Sequence, residues 1–289
     1  MSETQSREAM FWSPAQHGVV SCELCPHLCK IADGITGFCG ARENRGSVLA
    51  AASYGQITSL ALDPIEKKPL YMYQPGKQVL SVGSYGCNLR CQFCQNHGIS
   101  MEYGNREYRF ATPEQITDLA VQFIPDGNIG VAYTYNEPLV GYEFVYDCAK
   151  LVRKNNLANV LVTNGYINRR PLELLLPLID VMNIDLKGFT GEFYANLGGS
   201  LSPVTETISL AAHHCHVEVT TLVIPDENEY DIEKLAAWLA SINPDIPLHL
   251  SRFFPRYKYS DREPTPPETI HRLCNTARKH LRYVFGGNM

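Results

Sequence analysis

The sequence predicts an α/β fold, a partial (β/α)6 TIM-type barrel preceded by a small cysteine-rich N-terminal extension. Three observations carry that prediction. From about residue 79 short β-branched runs alternate with segments of helical spacing, unusual polar residues recur just after the runs, and cysteines crowd the stretch before them. Strand and helix alternating at this pitch build βαβ units and a parallel sheet.

The runs that read as strands are 79–85, 130–135, 160–163, 181–186, 216–224 and 248–254. Helical spacing fills 113–124, 142–155, 170–178, 205–214, 232–241 and 267–281. Thr112-Pro113-Glu114, and Asp231 followed by Ile232-Glu233, place a capping residue and early acids where a helix start favours them. The first strand leads into CNLRCQFC, the second into NEP and the third into NG; the fourth contains DLK and the fifth ends in IPDEN. In parallel α/β folds the loops beyond the carboxyl ends of the strands build the site. Six units suggest a barrel open on one side rather than the closed eight-stranded form; a doubly wound sheet is the alternative.

Residues 79–289 are therefore read as the barrel and residues 1–78 as the extension. In the extension, cysteines fill 22–39, the alternation over 47–62 reads as a hairpin, and DPIEKKPLYMYQPGKQ, which has no period, reads as an ordered connection.

Composition narrows the function classes. The 289 residues are 45% hydrophobic and 19% charged, an ordinary globular balance. A formal charge of −5 offers no footprint for nucleic acid or an anionic membrane. MSETQSREAM lacks a basic segment followed by an apolar run, and no stretch approaches the ~20 apolar residues of a membrane span. The expectation is a cytoplasmic protein with neither nucleic-acid nor membrane partners.

Of ten cysteines, seven fall in two tight groups, which in a reducing compartment points to metal rather than to a disulfide framework. Cys148, Cys215 and Cys274 are scattered and read as inert thiols. The group Cys87, Cys91 and Cys94 has C-x3-C-x2-C spacing straight after a strand. A four-iron cubane normally takes four thiolates. Three leave one iron free to chelate the amino and carboxylate groups of a small molecule, as a catalytic metal keeps an open position. Phe93 would offer an aromatic face beside that cluster. The competing reading is structural zinc with a fourth ligand such as His97. The group Cys22, Cys25, Cys29 and Cys39 supplies four thiols, enough for a closed tetrahedral zinc site or a fully ligated auxiliary iron–sulfur cluster.

The three-cysteine spacing is the signature of the radical S-adenosylmethionine (SAM) superfamily. GCNLRCQFCQN, AYTYNEP, VTNG, NIDLKG and VTTLVIPDEN, read in order, resemble the activating enzymes of glycyl-radical proteins such as pyruvate formate-lyase. With DPIEKKPL, SRFFPRY and the N-terminal cysteines, the chain resembles still more the radical SAM enzymes of the AmmeMemoRadiSam system. The resemblance implies a [4Fe–4S] cluster, SAM, and an electron donor such as flavodoxin or ferredoxin. It also implies cofactor contacts. Asn136, Glu137 and Pro138 match the segment that binds the methionine amino group, where a carboxylate suits an ammonium. Asp185 and Lys187 match a D-x-K in which the lysine pairs with the cofactor carboxylate, and Thr163-Asn164 lie near the ribose. Residues two apart in a strand share a face, so Asp185 and Lys187 should point together.

Three positions depart from the activating enzymes: Val162 stands where they have an acid, and Tyr135-Asn136 where they have two glycines. Their histidine after the last strand has no clear counterpart, with His249 and Arg252 nearby. The implied reaction is reductive cleavage of SAM to a 5′-deoxyadenosyl radical that takes hydrogen from an unidentified substrate, so no side chain is named as catalytic. The substrate reading divides between a glycyl-radical protein and a small metabolite or peptide. A non-catalytic electron-transfer or metal-binding module is the reading of another class, and it leaves Glu137 and Lys187 without a task.

Overall fold

The computed structural model describes residues 7–101 and 107–289. Its centre is an eight-stranded sheet formed by β1 (Ser59–Pro64), β2 (Gln78–Gly83), β3 (Asn128–Tyr133), β4 (Ala158–Thr163), β5 (Val181–Asp185), β6 (His216–Val223), β7 (Leu248–Arg252) and β8 (Val284–Gly287). The strands lie in chain order across the sheet. Neighbours from β2 to β8 are parallel, and only β1 runs antiparallel, against β2.

The six expected strands form, and the sheet adds one at each edge. β8 follows the last helix, and β1 comes from the stretch read as a hairpin. That stretch divides three ways. Arg42–Arg45 and Val48–Ala51 make an antiparallel pair, Gln56–Ile57 pairs with Arg109–Phe110, and Ser59–Pro64 enters the main sheet.

Helices cover the outer face: α1 (Pro113–Gln122), α2 (Tyr142–Lys154), α3 (Arg169–Leu175), α4 (Leu201–Ala211), α5 (Ile232–Ile242) and α6 (Pro267–Ala277). α1 starts as its sequence dictates, with a reciprocal capping box: Thr112 Oγ1 accepts from the Gln115 amide and Gln115 Oε1 from the Thr112 amide. Asp231 precedes α5 without a side-chain cap.

Alternation along the strands sorts the two faces. On β5, Met182 and Ile184 pack in the core shared with the helices. Val181 and Asn183 face inward with Asp185. Val181 joins Val79, Ala132 and Val160 in a separate cluster around Ile65 and Leu70, which belong to the segment between β1 and β2. That segment is a strap through the barrel interior. Asn183 Nδ2 donates to the Pro69 carbonyl at 2.8 Å, and the buried Glu218 carboxylate accepts the Tyr71 and Met72 amides at 3.0 and 2.9 Å. His249 and His216 donate to the same carboxylate at 2.6 and 3.0 Å. Burial opposes ionisation of Glu218, but these hydrogen bonds win and hold its carboxyl down at about 2.

The N-terminal lobe adds the short strands Trp12–Pro14, Val20–Cys22 and Lys30–Ile31. Among the described residues no helix is long and apolar enough to cross a membrane.

Candidate active site

The strand ends converge on a cavity of about 480 Å³ at the carboxyl side of the sheet. Cys87, Cys91, Phe93 and Cys94 reach it from the loop after β2, Asn136 and Glu137 from the turn after β3, Thr163 and Asn164 from β4, and Asp185 and Lys187 from β5. Ten of the eleven residues expected at this site from the sequence thus share one cavity wall; Pro138 is buried behind them and lines a different pocket.

Glu137 is 3% exposed, yet its carboxylate faces donors from the next strand. Oε1 accepts from Thr163 Oγ1 at 2.6 Å and from the Leu139 amide at 3.0 Å, and Oε2 accepts from the Asn164 amide at 2.8 Å. Burial raises its pKa to about 7 against the pull of those donors. Lys187 and Asp185 form an ion pair at 2.7 Å, and both line the cavity as the strand period requires. Burial alone would lower the lysine, but the Asp185 charge, with the nearby Cys91 thiol, holds it above its ordinary range.

The three thiols sit in low-dielectric surroundings. Burial pushes Cys91 up to about 12, with Lys187 opposing, and raises Cys87 and Cys94 as well. Such thiols ionise readily only against a bound cation, as coordinating thiols do. Asn164 Nδ2 lies 3.7 Å from Cys87 Sγ and donates to Asn88 Oδ1 at 2.9 Å, so one asparagine ties the cluster loop to β4. Asn136 acts on the backbone: its Oδ1 accepts the Ser84 amide and its Nδ2 donates to the Gly86 carbonyl. Phe93 packs 6.4 Å from Phe193 and 6.0 Å from Tyr259, ring centre to ring centre.

A Radical SAM superfamily model matches residues 81–239, more than half of the chain and the whole span from β2 into α5. The chain belongs to the radical SAM superfamily. As a radical SAM enzyme it is 43% identical to an uncharacterized protein of Methanocaldococcus jannaschii, over 98% of this chain and 85% of that protein. It is 29% identical to a GTP 3′,8-cyclase of Rippkaea orientalis, over 70% of this chain and 64% of the cyclase. It is 28% identical to the pyruvate formate-lyase 1-activating enzyme of Escherichia coli, over 50% of this chain and 61% of that enzyme. The chain thus spans less than two thirds of either enzyme's length. In fold it is similar to SuiB of Streptococcus suis (TM-score 0.52, 16% identity, 70% of this chain and 47% of SuiB). QueE of Escherichia coli is similar too (TM-score 0.50, 14% identity, 81% of this chain and 94% of QueE).

Membership in the radical SAM superfamily implies a [4Fe–4S] cluster and SAM. The chemistry of the donor set fits both: among the described residues the cavity wall carries three thiols and no fourth cysteine, with a carboxylate and an ammonium beside them.

The structure also accounts for the departures. Tyr135 replaces a glycine but keeps a glycine-like backbone, with φ of 73°. It is held there by its hydroxyl, which donates to Asp63 Oδ2 at 2.7 Å, and by the Lys68 ammonium 4.6 Å from its ring centre. Room for the ring comes from Gly83, where a Cβ would meet Tyr135 at 2.8 Å. Val162 lines the cavity as an apolar residue. His249 and Arg252 do not reach it: His249 is buried in the floor with Glu218, and Arg252 Nε donates to the Thr265 carbonyl. His97 stacks on Tyr257 at 4.5 Å.

Lys68 and Asp63 escaped the sequence reading. They lie in DPIEKKPL, form an ion pair at 2.9 Å, and bring Lys68, 3% exposed, to the cavity wall. Burial opposes ionisation of Asp63, but Tyr135 and Lys68 hold it well below the usual carboxylate range. Two adjacent lysines behind an acid in a segment without periodicity were the available signal.

Proposed function

We propose that this chain cleaves SAM reductively and passes hydrogen from a substrate to the resulting 5′-deoxyadenosyl group. The reading is carried by one observation: Cys87, Cys91 and Cys94 share a cavity with Glu137 and Lys187, each delivered by a different strand end. When bound, the cluster and SAM together supply the one-electron cleavage of the S–C5′ bond, with the electron drawn from a flavodoxin- or ferredoxin-type donor.

The chain's own residues bind and orient. Cys87, Cys91 and Cys94 hold the cluster. Glu137, fixed by three donors, takes the methionine ammonium. Lys187, freed in part from Asp185, meets the carboxylate. Thr163 and Asn164 position Glu137, Asn136 and Pro138 brace the turn that carries it, and Phe93 shields the loop. The cluster and cofactor residues named here all lie within residues 79–289; of residues 1–78, read as the extension, the stretch from Ser59 adds β1 to the sheet and Lys68 to the cavity wall.

Within this reaction the substrate is a glycyl-radical protein or a small metabolite or peptide. The likeness to an activating enzyme supports the first; Val162, apolar where activating enzymes carry an acid, supports the second. A glycyl doublet in the paramagnetic resonance spectrum of a partner protein would decide for the first.

The experiment is anaerobic reconstitution with iron and sulfide, then dithionite and SAM. 5′-Deoxyadenosine should form with the wild-type chain and not with Cys91→Ala. Its absence from the reconstituted wild type, or full activity in the variant, overturns the reading.

A further inference from the structure

The four cysteines of the N-terminal lobe form a second thiol set beside the first. Cys22, Cys25, Cys29 and Cys39 line one small pocket, whose remaining wall is Leu24, His27, Ile31, Gly37, Phe38, Arg42 and Val140. Cys22 and Cys39 are buried, and the lining is otherwise largely apolar. Arg42, 1% exposed, is the cation of this pocket. Its terminal nitrogens are engaged, one with Glu143 of α2 at 3.1 Å and the other with the Met10 carbonyl. Its Nε–H is buried with no hydrogen-bond partner. A buried donor left unmade is costly, so a missing acceptor is indicated there. Thiolate sulfur bound to metal is such an acceptor, and hydrogen bonds to cluster sulfurs are a usual means of tuning them.

Four thiols suit a closed zinc site or a fully ligated cluster, and the setting favours the cluster. The lobe lies against the loop of Cys87, Cys91 and Cys94, for which the family implies a cubane. The loops that carry the two sets touch. The Cys87 amide donates to the Cys39 carbonyl at 3.2 Å, a His27 ring nitrogen donates to the Asn88 carbonyl at 2.8 Å, and Arg90 lies over the Phe38 ring and donates to the Phe38 carbonyl.

We propose that Cys22, Cys25, Cys29 and Cys39 bind a second, fully ligated [4Fe–4S] cluster, with the Arg42 Nε–H donating to one of its sulfurs. It is a one-electron centre. A low-potential donor protein loses one electron, the cluster core falls from 2+ to 1+, and no bond or proton moves. With four protein ligands it has no open iron for SAM.

The test is a count of iron, sulfide and zinc with paramagnetic resonance on the reconstituted full chain. Wild type should hold about eight irons and no stoichiometric zinc. The triple variant Cys87→Ala/Cys91→Ala/Cys94→Ala should keep about four irons, with a reduced-state signal that SAM leaves unchanged. About four irons with one zinc in wild type, or a triple variant without iron, overturns the proposal. Because the triple variant lacks the thiols that would hold the SAM-binding cluster, its result stands whether or not SAM is cleaved. Arg42→Lys keeps the charge and removes the Nε–H, so the potential of the second cluster should fall while that of the first stays put. An unchanged potential overturns the assignment of Arg42.

Discussion

Replacing Glu137 with glutamine tests the site at its most constrained point. The wild-type carboxylate accepts from the Leu139 amide and Thr163 hydroxyl on Oε1 and from the Asn164 amide on Oε2. Glutamine has one acceptor oxygen, so in either amide orientation its NH2 group faces a backbone N–H. One buried amide then loses its partner, at a cost of about 1–3 kcal/mol in stability. The charge that meets the methionine ammonium is lost as well, worth about 1.5–3 kcal/mol for a hydrogen bond to a charged group. SAM should therefore bind roughly ten- to a hundred-and-fifty-fold more weakly. pH supplies a second handle. Burial puts the Glu137 carboxyl at about 7, and only its ionised form attracts an ammonium. Wild-type affinity should be level well above pH 7 and fall about tenfold per unit below it, while the variant's should stay flat. Titrating SAM into the cluster-loaded protein across pH reads both effects. A folded Glu137→Gln variant that binds SAM within twofold of wild type, or a wild type with no pH dependence, refutes the reasoning.

Lys68→Met should lower turnover while leaving SAM affinity within about twofold, because Lys68 lines the cavity from the strap rather than from the cofactor wall. Loss of its bond to Asp63 should cost about 1–3 kcal/mol by thermal denaturation. Gly86→Ala should destabilise by about 1–3 kcal/mol and loosen cluster binding, read as iron per chain. Gly86 has φ of +91°, and an added Cβ would meet the Cys39 carbonyl oxygen at 2.6 Å. In acid unfolding, Glu218→Gln should flatten the lower part of the stability curve. Glu218 is held at about 2 from 4.5, so its contribution is complete above pH 4.5 and is lost as pH falls through 2.

How much was legible in the sequence follows from where each residue finds its partners. The six strands and their helices announce themselves locally, through β-branched runs, helical spacing and the Thr112 cap, and they formed where expected. The cavity residues were legible because each follows a strand end, and parallel sheets gather such positions. The strap was not. Residues 65–73 show no period because they lie against neither sheet face in a regular way, and their amides and carbonyls are satisfied by Glu218 and Asn183, more than a hundred residues away. β1 and β8 were missed for a related reason, since an edge strand takes its partner from one side only. Tyr135 stands where the activating enzymes have a glycine, and the room its ring needs comes from Gly83, on the neighbouring strand.

The strap gives the barrel an unusual division of labour. One continuous stretch, residues 64–73, fills the floor and also delivers Lys68 to the wall, while the cluster loop and the cofactor-facing strand ends are supplied by other parts of the chain. Exchanging about ten neighbouring codons could therefore recut the chamber in which a substrate sits and leave the radical-generating parts in place. Relatives that share the cluster loop and differ in this stretch would then differ in what they accept rather than in how they start.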